Sequence, residues 1–141
     1  MGDCVFCEIV AGTLPAWKVA ENDGAVAFLT LGPLAEGHSL VVPRRHVTVL
    51  EELGADDLPA LWTLVQEVSR RLRAAGFASG TNLVVASGRA AEQEVPHFHV
   101  HVVPRKEGDG IDLTGGWTSR VRTLPPERQS AIAARILGLT A

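Results

Sequence analysis

Apolar positions along the chain follow the short spacing of β-strands in four places. Apolar runs bounded by turn-forming residues predict strands at Val26–Leu31, Ser39–Val42, Leu83–Ala86 and His97–Val103. Glycine or proline lies at or just beyond the end of each run, which limits its length.

Helical spacing is clearest between residues 56 and 75. Apolar residues recur there every three or four positions, with Asp56 or Asp57 placed to cap the helix and Gly76 placed to end it. The residues expected on its buried face are Leu58, Leu61, Trp62, Val65, Val68 and Leu72.

The C-terminal part of the chain is expected to extend the same domain. A glycine-rich loop covers 106–116, and a short helix follows Pro126 with Ile132, Ile136 and Leu137 facing inward. Strands combined with one long and one short helix predict an α+β fold with an antiparallel sheet, built as a single domain over 1–141.

The composition narrows the classes of function. The 141 residues are 46% hydrophobic, with a formal net charge of −3 and no basic patch, so we expect a globular domain without a nucleic-acid partner. No apolar run approaches the roughly 20 residues of a membrane span, and the N-terminus does not resemble a signal peptide. Two cysteines are too few for a disulfide scaffold, so we expect a cytoplasmic protein with reduced thiols.

Three of the five histidines, His97, His99 and His101, alternate with apolar residues. Alternate residues of a strand share one face, about 7 Å apart for neighbours and about 13 Å for the outer pair. Metal–nitrogen bonds of about 2.1 Å allow two neighbours to share an ion but not all three, so we expect the three rings to have different roles.

The middle ring is the candidate nucleophile. A neutral imidazole attacks phosphorus well, and its usual pKa of about 6.5 keeps it largely neutral at pH 7. One neighbour of His99 can orient it while the other donates hydrogen bonds to the phosphoryl group or leaving atom. The loop Ser87–Ala91, Gln93 and nearby amides could hold phosphate oxygens, although an ordinary connection explains this loop equally well.

Cys4 and Cys7 have the two-residue spacing found in zinc sites. A redox pair and two unrelated buried thiols are the alternatives, and the redox pair is disfavoured because no strand precedes it. Zinc requires two more ligands, for which His46 and His97 are the candidates and His38 is a rival. Such a site would be structural, and through His97 it would support His99.

The triad and its flanks resemble the histidine triad superfamily. The resemblance covers most of the chain, chiefly Cys4–Pro15, Gly37–His46 and Gln93–Arg105. It implies a five-stranded antiparallel sheet paired in a homodimer, and a covalent nucleotidyl intermediate on His99 that water hydrolyses. His101 would contact the phosphate and leaving group.

The same resemblance implies two sets of ligand-binding residues. His97 would support the nucleophile, and one structural zinc per chain would be held by Cys4, Cys7, His46 and His97. The nucleotide would contact Val5, Phe6, Ile9, Phe28, Thr30, Leu31, Gln93, Glu94 and Val95. The five apolar members before Gln93 match a purine pocket, and an ordinary core explains them equally well.

Three residues depart from the pattern of the family. Thr30 stands where many relatives carry an acidic residue that holds the ribose hydroxyls, and Ala86 stands where several carry an amide. Glu92 stands where glycine is usual. These departures affect the expected substrate more than the expected triad.

We therefore expect a nucleotide hydrolase or nucleotidyl transferase. It would act at the α-phosphorus of a purine nucleotide derivative, either a nucleoside phosphoramidate or a dinucleoside polyphosphate. A non-catalytic nucleotide-binding or zinc-dependent interaction module is the alternative, favoured by the departures at Thr30 and Ala86.

Overall fold

The structure is a computed structural model that describes residues 4–114 and 121–139. In this part of the chain a five-stranded antiparallel sheet combines with three α-helices, which confirms the predicted fold class. The strands are β1 Lys18–Glu21, β2 Ala25–Leu29, β3 Ser39–Pro43, β4 Gly80–Val84 and β5 Val100–Arg105, in the order β1-β2-β3-β5-β4. The helices are α1 Val5–Ala11, α2 Asp57–Ala74 and α3 Pro126–Ile136, with short 3₁₀ turns at Leu50–Glu52 and Arg89–Ala91.

Both faces of the sheet are covered at its centre, because every residue of β2 and β3 is buried. One face packs on α2 through a large cluster that includes Ala27, Val41 and Val100. Neighbouring strand residues point to the opposite face, where Phe28 and Leu40 pack with α1 in a second cluster. The cysteines and the triad lie on this second side.

The strand that carries the triad is shorter than the sequence predicts. The prediction of a strand over His97–Val103 is wrong. Strand β5 begins at Val100 and extends to Arg105, so His101 is the one triad member that lies within a strand. His97 and His99 lie on irregular, non-helical backbone that leads into the strand.

A proline explains the late start of β5. The partner strand β3 ends at Pro43, which has no N–H to offer a ladder. The Phe98 N–H instead bonds to the Val47 carbonyl at 2.7 Å. The chain around His97 is therefore held by loop contacts and not by strand pairing.

The apolar pattern did not reveal two short elements and misplaced a third. It gave no element for α1, which Cys4 caps by accepting a hydrogen bond from the Cys7 N–H, or for β1. The predicted strand Leu83–Ala86 is shifted, because β4 ends at Val84.

Helix α2 lies where the sequence predicts it, but details of its cap and its buried face are wrong. The Asp56 side chain makes no capping hydrogen bond, and the Asp57 carboxylate bonds to Arg45 and to the preceding turn. Leu58 and Trp62 are exposed at 39% and 41%. Leu64, which the pattern omitted, is fully buried in their place.

The C-terminal helix α3 also matches its prediction, with one error. Ile132 and Ile136 are buried as expected, whereas Leu137 lies past the helix end and is exposed. The Gln129 amide fills the buried position and donates to the Thr30 carbonyl at 2.9 Å. Residues 106–114 of the predicted loop are irregular after the end of β5, and 115–116 lie outside the described residues.

Within the described ranges, helices that could cross a membrane are not found. The longest helix, α2, has one apolar face and carries charged residues on the other.

Glu92 has a backbone conformation that generates a stability prediction. It closes the 3₁₀ turn before the triad with φ +67°, the one positive φ outside glycine among the described residues. A left-handed conformation costs a non-glycine residue roughly 1–2 kcal/mol, and glycine removes this cost. Because glycine also increases the conformational entropy of the unfolded chain, the net effect is smaller, and Glu92→Gly should raise the free energy of unfolding by about 0.5–1 kcal/mol. Urea unfolding would measure this difference.

Glu92→Ala is the matched control for that experiment. It removes the same side chain but keeps the Cβ that disfavours a positive φ, so its stability should stay close to that of the parent. Equal stability of the glycine and alanine variants would contradict the proposed strain.

Candidate functional site

The His99 ring is held with one nitrogen committed and the other available. Its Nδ1 lies 2.8 Å from the His97 carbonyl oxygen, which only accepts, so Nδ1 carries the proton. In the neutral ring Nε2 then holds a lone pair. Burial lowers the pKa of His99, against the raising effects of the His97 carbonyl and the Glu94 carboxylate. A neutral ring in this tautomer can serve chemically as a base or a nucleophile through Nε2.

The His101 ring is paired with a histidine outside the triad. His38 is fully buried, and its Nε2 lies 3.0 Å from Nδ1 of His101. Nδ1 of His38 accepts from the Leu34 N–H, so its proton sits on Nε2 and is donated to His101. His101 consequently carries its own proton on Nε2. Its ring centre is 5.1 Å from that of His99.

Burial keeps this histidine pair uncharged. It lowers the pKa of His38 to about 4, and with the nearby His38 and His99 it lowers the pKa of His101 to about 3. A neutral His101 retains one ring N–H and adds no charge next to His99.

A glycine allows His38 to reach this position. Gly37 has φ +93°, and a Cβ added there would lie 2.7 Å from a methyl carbon of Leu72. Both the conformation and the close approach require glycine. The sequence pattern indicates His38 only as a rival metal ligand, so its pairing with His101 is a feature that the sequence does not predict.

Four side chains bring their donor atoms together on the other side of His99. Sγ of Cys4 and Cys7 and Nδ1 of His46 and His97 all lie within 4.8 Å of one another. The shortest distances are 3.2 Å from His46 Nδ1 to both Cys7 Sγ and His97 Nδ1. These four residues could hold a metal ion, and His38 is not among them.

The arrangement fits a tetrahedral ion on two grounds. Bonds of about 2.1 Å to nitrogen and about 2.3 Å to sulfur place tetrahedral ligands roughly 3.4–3.8 Å apart, close to the distances found. Nε2 of His97 donates to the Pro43 carbonyl at 2.9 Å, which leaves the Nδ1 lone pair directed at the cluster. Burial and Cys4 raise the pKa of the Cys7 thiol to about 11, so a bound cation would displace a proton there.

Helix α1 connects this cluster with the triad. Cys4 is its cap and Cys7 lies in its first turn, while Phe6 between them turns inward. The Phe6 ring makes edge contacts with His97 and His99, with ring centres 5.8 Å and 5.3 Å apart. A cation at the cysteines would therefore fix the helix that packs against His99.

The residues expected around a nucleoside separate into two groups. Phe6, Ile9 and Phe28 are buried together in the second core cluster, and Val95 packs against it. Val5 and Leu31 are 49% and 84% exposed and lie at the surface. The first group is core, and the second has surface to offer a ligand.

The polar residues expected at the nucleotide also have defined positions. The Gln93 amide accepts from the Gly88 N–H and donates to the carbonyls of Thr48 and Val95, so it shapes the loop before the triad. Glu94 is exposed. The Thr30 hydroxyl oxygen accepts from the Gly32 N–H at 3.2 Å.

The buried histidine pair predicts a pH dependence of stability. Both rings have folded-state pKa values below the unfolded value of about 6.5, so the unfolded chain binds more protons below that pH. Their contribution is complete above about pH 6.5 and declines as the pH falls toward about 4. His38→Gln keeps an acceptor and a donor but cannot ionise. As the pH falls, the free energy of unfolding of this variant should therefore decrease less steeply than that of the parent, and the two slopes should differ by up to about 1.4 kcal/mol per pH unit.

Chemical unfolding at a series of pH values between these limits measures the two slopes. Identical slopes for the parent and His38→Gln would contradict a buried neutral His38.

Known proteins are similar to this chain in sequence and in fold. The family model described as HIT domain matches residues 11–108. An uncharacterized HIT-like protein of Mycobacterium tuberculosis is 38% identical over 83% of this chain and 81% of its own length. An adenosine 5'-monophosphoramidase of Schizosaccharomyces pombe is 33% identical over 94% and 95%.

The chain is also similar to a plant enzyme and to a protein of known crystal structure. An adenylylsulfatase of Arabidopsis thaliana is 39% identical over 76% of this chain and 54% of the plant protein. A zinc-bound histidine triad family protein from Mycobacterium smegmatis superposes with a TM-score of 0.82 at 32% identity, covering 98% and 96% of the two chains. With the triad, the sheet and the matched domain in agreement, the chain belongs to the HIT domain family of histidine triad proteins.

Proposed function

We propose that the chain is a nucleotide hydrolase or nucleotidyl transferase that attacks the α-phosphorus of a purine nucleotide derivative with His99. The observation that carries the proposal is the pairing of a bare Nε2 on His99 with a proton on Nε2 of the adjacent His101. Nucleophile and hydrogen-bond donor are the two groups that phosphoryl substitution requires side by side. The relatives named adenylylsulfatase and adenosine 5'-monophosphoramidase support an adenylyl-type substrate.

In the first step His99 Nε2 forms a bond to phosphorus and the bond from phosphorus to the leaving group breaks. The ring becomes positively charged, and the Nδ1–H···O=C hydrogen bond to His97 strengthens as this charge develops. His101 donates from Nε2 to a phosphoryl oxygen or to the leaving atom. His38 acts as a positioning residue, because it fixes which nitrogen of His101 carries the proton.

In the second step water attacks the phosphorus of the nucleotidyl-histidine and the Nε2–phosphorus bond breaks. His99 keeps the electron pair of that bond and returns to its neutral form. The released monophosphate keeps the water oxygen, and the surplus proton of the water passes to the departed leaving group or to solvent. An acceptor other than water would give nucleotidyl transfer from the same intermediate.

For the nucleoside we propose contacts with Val5 and Leu31, backed by the apolar cluster of Phe6, Ile9 and Phe28. Gln93, Glu94 and Val95 lie on the loop that leads into the triad and complete the proposed nucleotide site. The Thr30 hydroxyl already accepts one backbone hydrogen bond, so it can offer the ribose its one O–H donor and one remaining lone pair. Such a contact is weaker than the charge-assisted pair of a carboxylate.

We propose that the ion at Cys4, Cys7, His46 and His97 is zinc, one per chain, with a structural role. Two thiolates and two imidazoles form a closed set that leaves no ligand position for a substrate. The zinc-bound relative from Mycobacterium smegmatis supports this identity. When bound, the ion would cross-link the start of α1 to the segments that carry His46 and His97.

We also propose that the protein forms a homodimer through the edge strand β4. This strand ends the sheet, and its Leu83 side chain is 48% exposed, with Val85 beside it at 38%. Antiparallel pairing of two such edges about a twofold axis would cover both apolar side chains and the unpaired backbone groups.

The catalytic proposal predicts a covalent intermediate at His99. With adenosine 5'-phosphoramidate as substrate, rapid denaturing quench and mass spectrometry of peptides should find one AMP group on His99. His99→Ala should lack the adduct and lose turnover by at least about 10³-fold, because it removes the nucleophile.

His101→Gln is the matched variant, since an amide retains a donor but at a different position. It should still form the adduct on His99, more slowly. Nucleotide binding without any adduct in the parent protein would contradict the enzymatic proposal and favour the non-catalytic nucleotide-binding module.

The metal proposal predicts about one zinc per chain in protein purified without chelators. Elemental analysis should find no zinc in the Cys4→Ser/Cys7→Ser variant, and its melting temperature should fall by several degrees because the cross-link is lost. His38→Gln is the control and should retain full zinc, as His38 bonds to His101 and not to the cluster. A zinc-free parent, or loss of zinc in the control, would contradict the assignment.

A further inference from the structure

A cavity of about 670 Å³ lies where Leu34, Phe77 and Pro104 come together. None of its lining residues belongs to the triad or to the cysteine–histidine cluster. Its volume is within the range of roughly 300–1,000 Å³ that small-molecule sites occupy. The lining residues are Leu34, Ala35, Glu36, Phe77, Pro104, Lys106, Asp109, Gly110, Ile111 and Arg122.

The floor of this cavity is apolar and held in place. Leu34, Phe77 and Pro104 are all buried there. The guanidinium of Arg135 lies over the Phe77 ring, 4.4 Å from its centre. The Leu34 N–H is bonded to His38, which fixes the adjoining loop. This floor is suited to the apolar body of a ligand.

The carboxylates around the cavity are already neutralised. Arg128 binds Glu36 with two hydrogen bonds of 2.6 Å. Arg105 binds both oxygens of Asp109, at 2.8 Å and 2.9 Å. Asp112 also lies near enough to Arg105 to raise its pKa, and it accepts from the backbone N–H of Thr114.

Two cations at the cavity rim have no such partner. No ion pair is found for Lys106 or Arg122 anywhere in the described ranges, and both side chains are exposed. The Arg122 N–H is bonded to the Pro33 carbonyl at 2.7 Å, which anchors its backbone at the rim. Lys106 and Arg122 therefore place two positive charges at the rim that no ion pair of the described residues compensates, although the whole chain has a net charge of −3.

We propose that this cavity binds a small organic anion, with the apolar body against Leu34 and Phe77 and the charged group between Lys106 and Arg122. Guanidinium and ammonium groups recognise phosphate and carboxylate oxygens alike, so the class is defined by negative charge on a compact apolar body. The site is separate from the one that the proposed nucleotide reaction uses, and its occupancy does not depend on that reaction.

Phenyl phosphate and benzoate are suitable probes, with phenol as the neutral control of the same shape. In amide NMR titrations of the full chain, both anions should give saturable shifts at Glu36, Lys106 and Ile111, while phenol should give none there. The relative affinity of the two anions then identifies the preferred charged group. Raising the salt concentration should weaken binding, because the contacts lie at the surface.

The Lys106→Gln/Arg122→Gln variant should bind either anion at least about tenfold more weakly, since two charged contacts are lost. Arg70→Gln is the matched control, because Arg70 is exposed on α2 and does not line the cavity. Three results would overturn the proposal: equal affinity in the double variant, equal binding of phenol, or anion shifts confined to the triad and its loops.

Discussion

Backbone groups fix one nitrogen of each histidine ring in the triad, directly or through one intermediary, and the chemistry of the site depends on this constraint. The His97 carbonyl accepts a hydrogen bond from His99 Nδ1–H, and the Pro43 carbonyl accepts one from His97 Nε2–H. The Leu34 N–H sets His38, which in turn sets His101. Each ring thereby has a defined tautomer: His97 directs a lone pair at the cysteine–histidine cluster, His99 has its lone pair on Nε2, and His101 has its proton on Nε2. Without these contacts the neutral rings would interconvert between tautomers, and neither role would be assured.

These contacts arise because the pairing of β3 with β5 stops before it reaches His97 and His99. Because Pro43 has no N–H, strand pairing stops before the first two triad residues, and the carbonyl groups of Pro43 and His97 accept hydrogen bonds from the imidazoles of His97 and His99. Helix α1 packs Phe6 against the rings of His97 and His99 and places Cys7 in the cysteine–histidine cluster. The cysteine–histidine cluster, α1 and the His99 ring are thus parts of one packed unit, so a displacement of the cysteines would reach His99 through Phe6.

Residue type and spacing were enough to predict features that depend on residues close in sequence, such as α2. The cysteine spacing, the histidine inventory and the family resemblance together predicted the four side chains that could hold a metal ion, and the structure excludes the rival His38 from that group. The separate roles expected for His97, His99 and His101 stay a prediction. Long apolar periodicity located α2 within one residue at each end.

Features that depend on distant pairing could not be predicted in the same way. The contact between His38 and His101 spans 63 positions and follows from the register that sets Leu40 opposite His101, which no local pattern encodes. Trp62 looked buried because its spacing matches the apolar face, yet the sheet covers Leu64 instead. Leu31 likewise follows an apolar strand but lies two residues beyond its end, at the surface.

The fixed tautomers are open to direct observation by ¹⁵N NMR of the histidine rings near neutral pH. The hydrogen bonds described above predict that His99 carries its proton on Nδ1 with a bare Nε2, and that His101 carries its proton on Nε2. A His99 ring protonated on Nε2, or on both nitrogens, would leave no lone pair facing the phosphorus and would contradict the account.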